Sequence, residues 1–332
     1  MKRTLLASAL LALALPASAK VYQFKDWAVA CDNIRRCQAN GAQAEDGDNP
    51  VSLLLTREAG PGGKLNAQLD VADPDDGKVG KLTLRVGKLK WANIGPEQVF
   101  SPAQTAQLLA AMLDADAVAL ADGKHQWTLS LAGLKAALLK MDDLQGRIGT
   151  PGALVKKGGK PESAVPAPQA PPLLVPQQPP AAKPGDQALL PAILKQLRAA
   201  NKECWNELPD EEHPDTGLYR LSANQVLALR ECGRGAYQGD YKVWVSGDAA
   251  PFRPREIKLR GEDGKETFLM NAAFDKGVLS SYAKGRGIGD CGGAASWAWT
   301  GKDFQLMSAQ EAPQCRGIPG GVPLRTWVTR QK

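Results

Sequence analysis

The sequence predicts an α+β protein: two disulfide-stapled domains, each mainly antiparallel β-sheet with two helices, joined by a Pro-rich linker. Three observations predict it. Short apolar runs bounded by Gly, Asp and Pro turns recur along the 332 residues and read as strands. Helical spacing appears in few places, so a parallel doubly wound sheet is not expected. Nine prolines lie between Pro161 and Pro184, among Ala, Gln and Gly, and separate two stretches of ordinary composition. The expected divisions are a signal peptide at 1–19, an N-terminal domain at 20–152, a linker at 153–187 and a C-terminal domain at 188–332.

Lys2-Arg3, the apolar run Leu5 to Leu15 and Ala17-Ser18-Ala19 have the form of a secretory signal cleaved before Lys20. The run falls short of the ~20 apolar residues that span a bilayer. The expected mature protein is therefore soluble and periplasmic. Removing Lys2 and Arg3 from a formal charge of +6 leaves about +4. That charge, without a basic run or an aromatic-basic motif, predicts no nucleic-acid partner.

In the first domain, strands are expected over 24–31, 51–57, 65–71, 81–86, 117–121 and 126–131. Ser101-Pro102-Ala103-Gln104 reads as a capping box with proline at the first helical position. Leu108, Leu109, Met112 and Leu113 give that helix its apolar face. A second helix is expected over 131–144, where Leu131, Leu134, Leu138 and Met141 recur at helical spacing. The linker reads as extended polyproline II, able at ~3.1 Å per residue to hold the domains up to about 70 Å apart. In the second domain, one helix is expected through Ile193, Leu194 and Leu197, ending near Cys204. A second is expected from a capping box at Ser222–Gln225 to Cys232-Gly233. Strands are expected over 241–245, 256–259, 278–282, 296–300, 304–307 and 325–328.

Export makes the six cysteines readable as disulfides rather than metal ligands. If the linker separates independent domains, Cys31 pairs with Cys37. Cys204, Cys232, Cys291 and Cys315 then allow three pairings. The local solution, Cys204–Cys232 and Cys291–Cys315, is preferred, the first as a staple between two helix ends. Crossed pairings remain open.

DWAVACDN with Cys37, SLAGLKAALLKMDDLQGRIGT, LRECGRGAYQGDYKVW, and GRGIGDCGGAASWAWTGKDFQL followed by CRG stand in order along the chain. On these motifs and the six cysteines, nearly the whole chain from residue 20 resembles the bacterial secreted family catalogued as domain of unknown function 1176. The N-terminal part also resembles the invasion-associated locus B proteins, through the Trp27-x-x-x-Cys31 start and the Ser130-Leu131-Ala132-Gly133 helix entry. The first resemblance implies a periplasmic, disulfide-bonded protein. It implies no catalytic residues.

Several patterns invite a chemical reading. Gly287-x-Gly289-x-x-Gly292 matches a dinucleotide fingerprint, but a tryptophan strand follows it instead of a helix, so no cofactor is expected. Ser281-x-x-Lys284 has the spacing of penicillin-binding enzymes without their companion motifs, and a strand would point the two side chains to opposite faces. His125 and His213, the two histidines, read as turn residues. The acidic groups Glu45/Asp46/Asp48 and Asp73/Asp75/Asp76 lack EF-hand spacing, and no metal is expected. The candidate binding residues are Arg286, Asp290, Trp297, Trp299 and Arg316. A Cys291–Cys315 bond would bring Asp290 beside Arg316. Arginines beside glycine N–H groups suit an anionic group, and Trp297 and Trp299, two apart in a strand, share a face that suits a sugar or peptide. The competing reading is an Asp290–Arg316 ion pair above two core tryptophans. The expected function is non-enzymatic binding or interaction in the cell envelope, with an envelope protein, a glycan or an anionic ligand as partner. The alternatives are an envelope hydrolase acting on peptidoglycan or polysaccharide, and an exported protein inhibitor.

Overall fold

The computed structural model describes residues 20–75, 77–201, 204 and 216–332. The expected signal, Asp76 and His213 lie outside these residues. The first half contains β1 (Tyr22–Phe24), β2 (Trp27–Cys31), β3 (Cys37–Ala42), β4 (Val51–Arg57), β5 (Leu65–Val71), β6 (Leu82–Val86), β7 (Leu89–Ile94), β8 (Glu97–Val99), α1 (Pro102–Met112), β9 (Ala117–Ala121), β10 (Gln126–Ser130) and α2 (Leu134–Leu144). One antiparallel sheet has the order β1-β2-β3-β4-β5-β8, the other β10-β9-β6-β7. Trp27, Val29, Leu53, Leu55, Leu84 and Trp127 meet in one core, closed by Leu108 and Met112 of α1 and Leu138 and Met141 of α2. Gly41 stands opposite Trp27 in the β2–β3 register. A Cβ there would come within 2.2 Å of the indole, so only glycine lets the ring lie flat across β3.

The capping box forms as expected. Gln104 N donates to Ser101 Oγ at 3.3 Å and Ser101 N to Gln104 Oε1 at 3.0 Å. The second helix starts at Leu134 rather than Leu131. Leu131 N still bonds Asp116 O at 3.0 Å, and Gly133 turns the chain at φ 97°.

The second half contains β11 (Leu173–Leu174), α3 (Leu190–Ala200), β12 (Thr216–Arg220), β13 (Gln225–Arg234), β14 (Gly239–Gly247), β15 (Arg255–Glu256), β16 (Ala273–Asp275), β17 (Val278–Lys284), β18 (Gly292–Trp299), β19 (Phe304–Ala312), β20 (Leu324–Val328) and β21 (Arg330–Gln331). Strands β12 to β15 form a four-stranded sheet and β16 to β20 a five-stranded one, each in chain order. The helix expected from Ser222 to Cys232 is instead β13, paired with β12 and β14. Leu227 and Leu229 point to the core with Trp297 and Trp299. Val226, Ala228 and Cys232 point the other way, onto Ile193 and Leu197 of α3. A strand covered on both faces reads as a continuous apolar run, which four residues at a time passes for helix. The expected capping box closes a turn: Leu221 N donates to Gln225 O at 3.0 Å. Among the described residues the chain is mainly antiparallel β-sheet with three α-helices.

The local disulfide solution is the one present: Cys31–Cys37, Cys204–Cys232 and Cys291–Cys315. Because Cys232 lies in β13, the middle bond ties Cys204 to a strand rather than to a second helix. Bonds of this kind persist in oxidising compartments. No helix among the described residues is long and apolar enough to cross a membrane.

The Pro-rich segment does not hold two bodies apart. Glu162 accepts from Arg147 Nη1 at 3.0 Å and from Gly152 N at 3.1 Å, and Val165 is buried. Further on, Leu173–Leu174 pairs in parallel with Arg330–Gln331, and Gln177 N donates to Trp299 O at 2.7 Å. Val165 and Leu174 are buried apolar anchors among the prolines. The two halves also touch directly. Strand β20 packs on β2 and β3, with Leu324 fully buried among Ala28 and Ala30. Arg325 Nε donates to Asp32 Oδ2 at 2.7 Å, Arg325 N to Gln38 Oε1 at 2.7 Å, and Asn33 bonds both the N–H and the carbonyl of Val328 at 2.9 Å.

Candidate functional site

The Gly285–Gly292 segment is a tight hairpin joining β17 to β18. Gly285 N donates to Cys291 O and Gly289 N to Arg286 O, both at 2.9 Å. Gly292 has φ 138°, and a Cβ there would sit 2.0 Å from Ala283 O. These glycines therefore serve the turn, and the hairpin has no helix N-terminus to receive a pyrophosphate.

The disulfide brings residues 290 and 316 together, but their charges pair elsewhere. Arg286 grips Asp290 with both edges, Nε to Oδ1 at 2.7 Å and Nη2 to Oδ2 at 2.5 Å. Gly317 N donates to Asp290 Oδ2 at 2.6 Å. The Asp290 side chain is buried, and these bonds, the Arg286 guanidinium first, hold its carboxyl below the usual carboxylate range. Arg316 instead faces Asp26 at 3.2 Å, while its carbonyl accepts from Gln43 Nε2 at 2.6 Å. The expected Asp290–Arg316 ion pair is thus replaced by Arg286–Asp290 within the hairpin and Arg316–Asp26 across the two halves. Each guanidinium faces a carboxylate of its own.

Trp297 and Trp299 share a face, and that face is inward. Both rings are 1% exposed, packed with Leu227, Val245, Leu279 and Phe304. Trp297 Nε1 donates to Arg260 O at 2.8 Å. Burying each ring removes ~200 Å² from water, worth about 5 kcal/mol, so the pair does not form an open platform.

The same face of the five-stranded sheet runs on from Trp297 to a cleft of about 730 Å³. Its floor is made of small side chains in register, Ser281 opposite Ala295 opposite Ala309, then Ala283 opposite Gly293. The tryptophan end fills the space between the sheets, whereas the alanine and glycine end leaves it open. The 261–270 segment makes one wall and the Cys291–Cys315 bond closes the far end. Phe268 stands on the rim, 84% exposed. Glu262, Asp263, Glu266 and Glu311 line the cleft with Lys265. Lys265 reaches Asp263 at 3.4 Å and Lys258 reaches Glu266 at 2.9 Å. Acidic groups thus outnumber the lining lysine.

Ser281 Oγ is held by Met270, donating to its carbonyl at 3.0 Å and accepting from its N–H at 2.9 Å. It is a staple between β17 and the cleft wall, not a free nucleophile. Asp290, Cys291 and Cys315 lie close enough to hold a metal, but both sulfurs are in the disulfide. A second cluster escaped the sequence. His125 and Asp73, read there as separate turn residues, stand 3.7 Å apart, with Asp75 3.8 Å from the other imidazole nitrogen. About fifty residues of chain separate His125 from the two aspartates, so no spacing rule reveals the meeting. The cleft was equally hidden, because an Ala-Gly floor differs from an ordinary strand only once its covering sheet is seen to stop short.

Comparison with known proteins gives a family and no activity. The family model described as "Protein of unknown function (DUF1176)" matches residues 21–330. The "Uncharacterized protein YpfG" of Escherichia coli (strain K12) is 29% identical over 333 residues, covering 92% of either chain. No solved structure matches.

Proposed function

Because this chain belongs to the DUF1176 family of proteins of unknown function, with no activity to inherit, we propose from its own geometry that it is a non-enzymatic binding module of the bacterial cell envelope. Its ligand lies in the open end of the C-terminal sandwich. The observation that carries this is the cleft itself: about 730 Å³ over an Ala-Gly floor, with Phe268 exposed at its rim. Clefts of this size with an apolar floor and a few polar groups are where ligands bind, and an exposed phenylalanine at the mouth costs solubility unless something covers it. The excess of carboxylates disfavours an anionic ligand. An extended neutral or cationic segment, a peptide or an amino-bearing glycan, suits it better. The three disulfides and the signal-like N-terminus support a periplasmic setting.

The test is retention of the protein on peptidoglycan, and capture of partners from a periplasmic extract, with wild type beside Phe268→Ala and Ala309→Trp. The first removes an exposed ring and the second fills the floor. Both are expected to lose the captured ligand while melting like wild type. Undiminished capture by both variants would exclude the cleft. A second reading, an exported inhibitor, has one observation in its favour: Ile288 is 70% exposed at the tip of the disulfide-closed hairpin. Loss of capture in Ile288→Ser with retention in Phe268→Ala would favour that reading.

A further inference from the structure

Two turns at one edge of the N-terminal sheets bring Asp73, Asp75 and His125 together. The first follows β5. There Asp75 N donates to Asp73 Oδ1 at 2.9 Å, turning the chain tightly. The second joins β9 to β10, where His125 N donates to Asp122 Oδ1 at 2.7 Å. Trp127 locks the two turns together, donating from Nε1 to Ala72 O at 2.9 Å. Its ring meets the imidazole edge-on at 5.8 Å.

The Asp73 side chain is 1% exposed. Among the described residues its Oδ2 has no hydrogen-bond partner, and neither has His125 Nδ1. The two atoms are 3.7 Å apart, too far for a hydrogen bond. A buried carboxylate oxygen and a buried imidazole nitrogen thus face each other with nothing joining them. One ligand atom from each of Asp73, Asp75 and His125 lies within 4.8 Å of the other two.

We propose that Asp73, Asp75 and His125 form a binding site for a divalent transition cation of the zinc type. Imidazole with carboxylate is a donor set for such ions, whereas calcium takes oxygen alone. Ligand bonds of ~2.0–2.2 Å place neighbouring tetrahedral ligands about 3.4 Å apart, so the 3.7 Å gap closes with a shift of a few tenths of an ångström. Asp75, with its side chain 80% exposed, is free to swing inward as the third ligand. Two carboxylates outweigh Lys124, the lysine whose field reaches Asp73.

Calorimetric titration of the EDTA-treated chain from residue 20 onward with ZnCl2 tests the site. One saturable site per chain is expected. Asp75→Asn and His125→Gln should each weaken it roughly tenfold or more, and His213→Ala should leave it unchanged. Asp75 is exposed, so its variant folds as wild type and keeps the test meaningful even if a buried Asp73→Asn chain does not fold. The proposal is overturned by no saturable uptake below about 1 mM, by equal binding in the Asp75 and His125 variants, or by loss in His213→Ala instead. It is also overturned if CaCl2 binds as tightly as ZnCl2, since the imidazole would then not be a ligand.

Discussion

Leu324 tests whether the two halves are one folding unit. Its side chain is fully buried between β20 and the β2–β3 hairpin, against Ala28 and Ala30. Leu324→Ala removes buried methyl groups from a contact with Ala28 and Ala30, with Val21 and Leu54 packed beside it, so the gap closes only in part. The expected cost lies near the middle of the range for such truncations, about 3 kcal/mol. Unfolding entropy scales at ~2.1 cal/mol/K per residue. If the whole chain melts together, 3 kcal/mol corresponds to a fall in Tm of about 5 °C; if the second half melts alone, it corresponds to about 10 °C. Differential scanning calorimetry distinguishes the cases, because the first keeps one transition and the second separates two. An unchanged thermogram would refute the reasoning: β20 would then not be docked on β2 and β3 in solution.

Three further outcomes are expected. Replacing Cys291 and Cys315 with serine should cost ~3.5 kcal/mol in a denaturant titration, from the loop-closure entropy of the unfolded chain; equal midpoints for the two forms would contradict it. Asp290 is held below its ordinary value by Arg286 and Gly317 N, so its contribution to stability is complete above about pH 4 and is lost as pH falls through the lowered folded value. Asp290→Asn should therefore be less stable than wild type at neutral pH and converge on it in acid, and parallel pH–stability curves would exclude the pairing. Arg147 is fully buried and donates to Gln145 Oε1, Glu162 Oε1, Glu58 O and Gly60 O. Arg147→Ala should cost ~3–5 kcal/mol and open residues 149–165 to proteolysis, and Arg147→Lys should not rescue it, because one ammonium cannot span four acceptors; full rescue by lysine would refute the network.

Where a signal is local, the chain is readable. Ser101 and Gln104 cap each other within four residues, so the start of α1 is set locally, while its stability comes from packing Leu108 and Met112 into the core. The disulfide pairs follow once each cysteine is assumed to bond nearby. Where the structure depends on a distant neighbour, reading fails. In β2 the alternation of Trp27 and Val29 marks an inward face, but Ala28 and Ala30 look like an outer one until Leu324 covers them from the far end of the sequence. Doubly covered β13 passed for a helix for the same reason. The prolines imply stiffness correctly, yet stiffness does not say where a segment lies. Leu174 and Val165 decide that, because a buried apolar side chain outweighs the freedom of a solvated linker.

The candidate binding residues are paired or buried for a different reason, and that reason points to where a ligand is better sought. The Cys291–Cys315 bond sets Asp290 and Arg316 beside it, and Arg286 adds positive charge in the same hairpin. Crowded charges, however, find partners: Asp290 takes Arg286 and a backbone N–H, and Arg316 crosses to Asp26. Trp297 and Trp299 do share one strand face, but their large apolar rings turn that face into the core. Features conspicuous in a sequence are the ones with most to gain from burial or pairing, so folding consumes them. What folding leaves unspent is inconspicuous: a half-buried floor of Ala283, Gly293, Ala295 and Ala309 that lines an open cleft among the described residues, and an Asp73 oxygen without a hydrogen-bond partner among them. A site held open at a cost to stability is better evidence for a ligand than a motif already satisfied by its own chain.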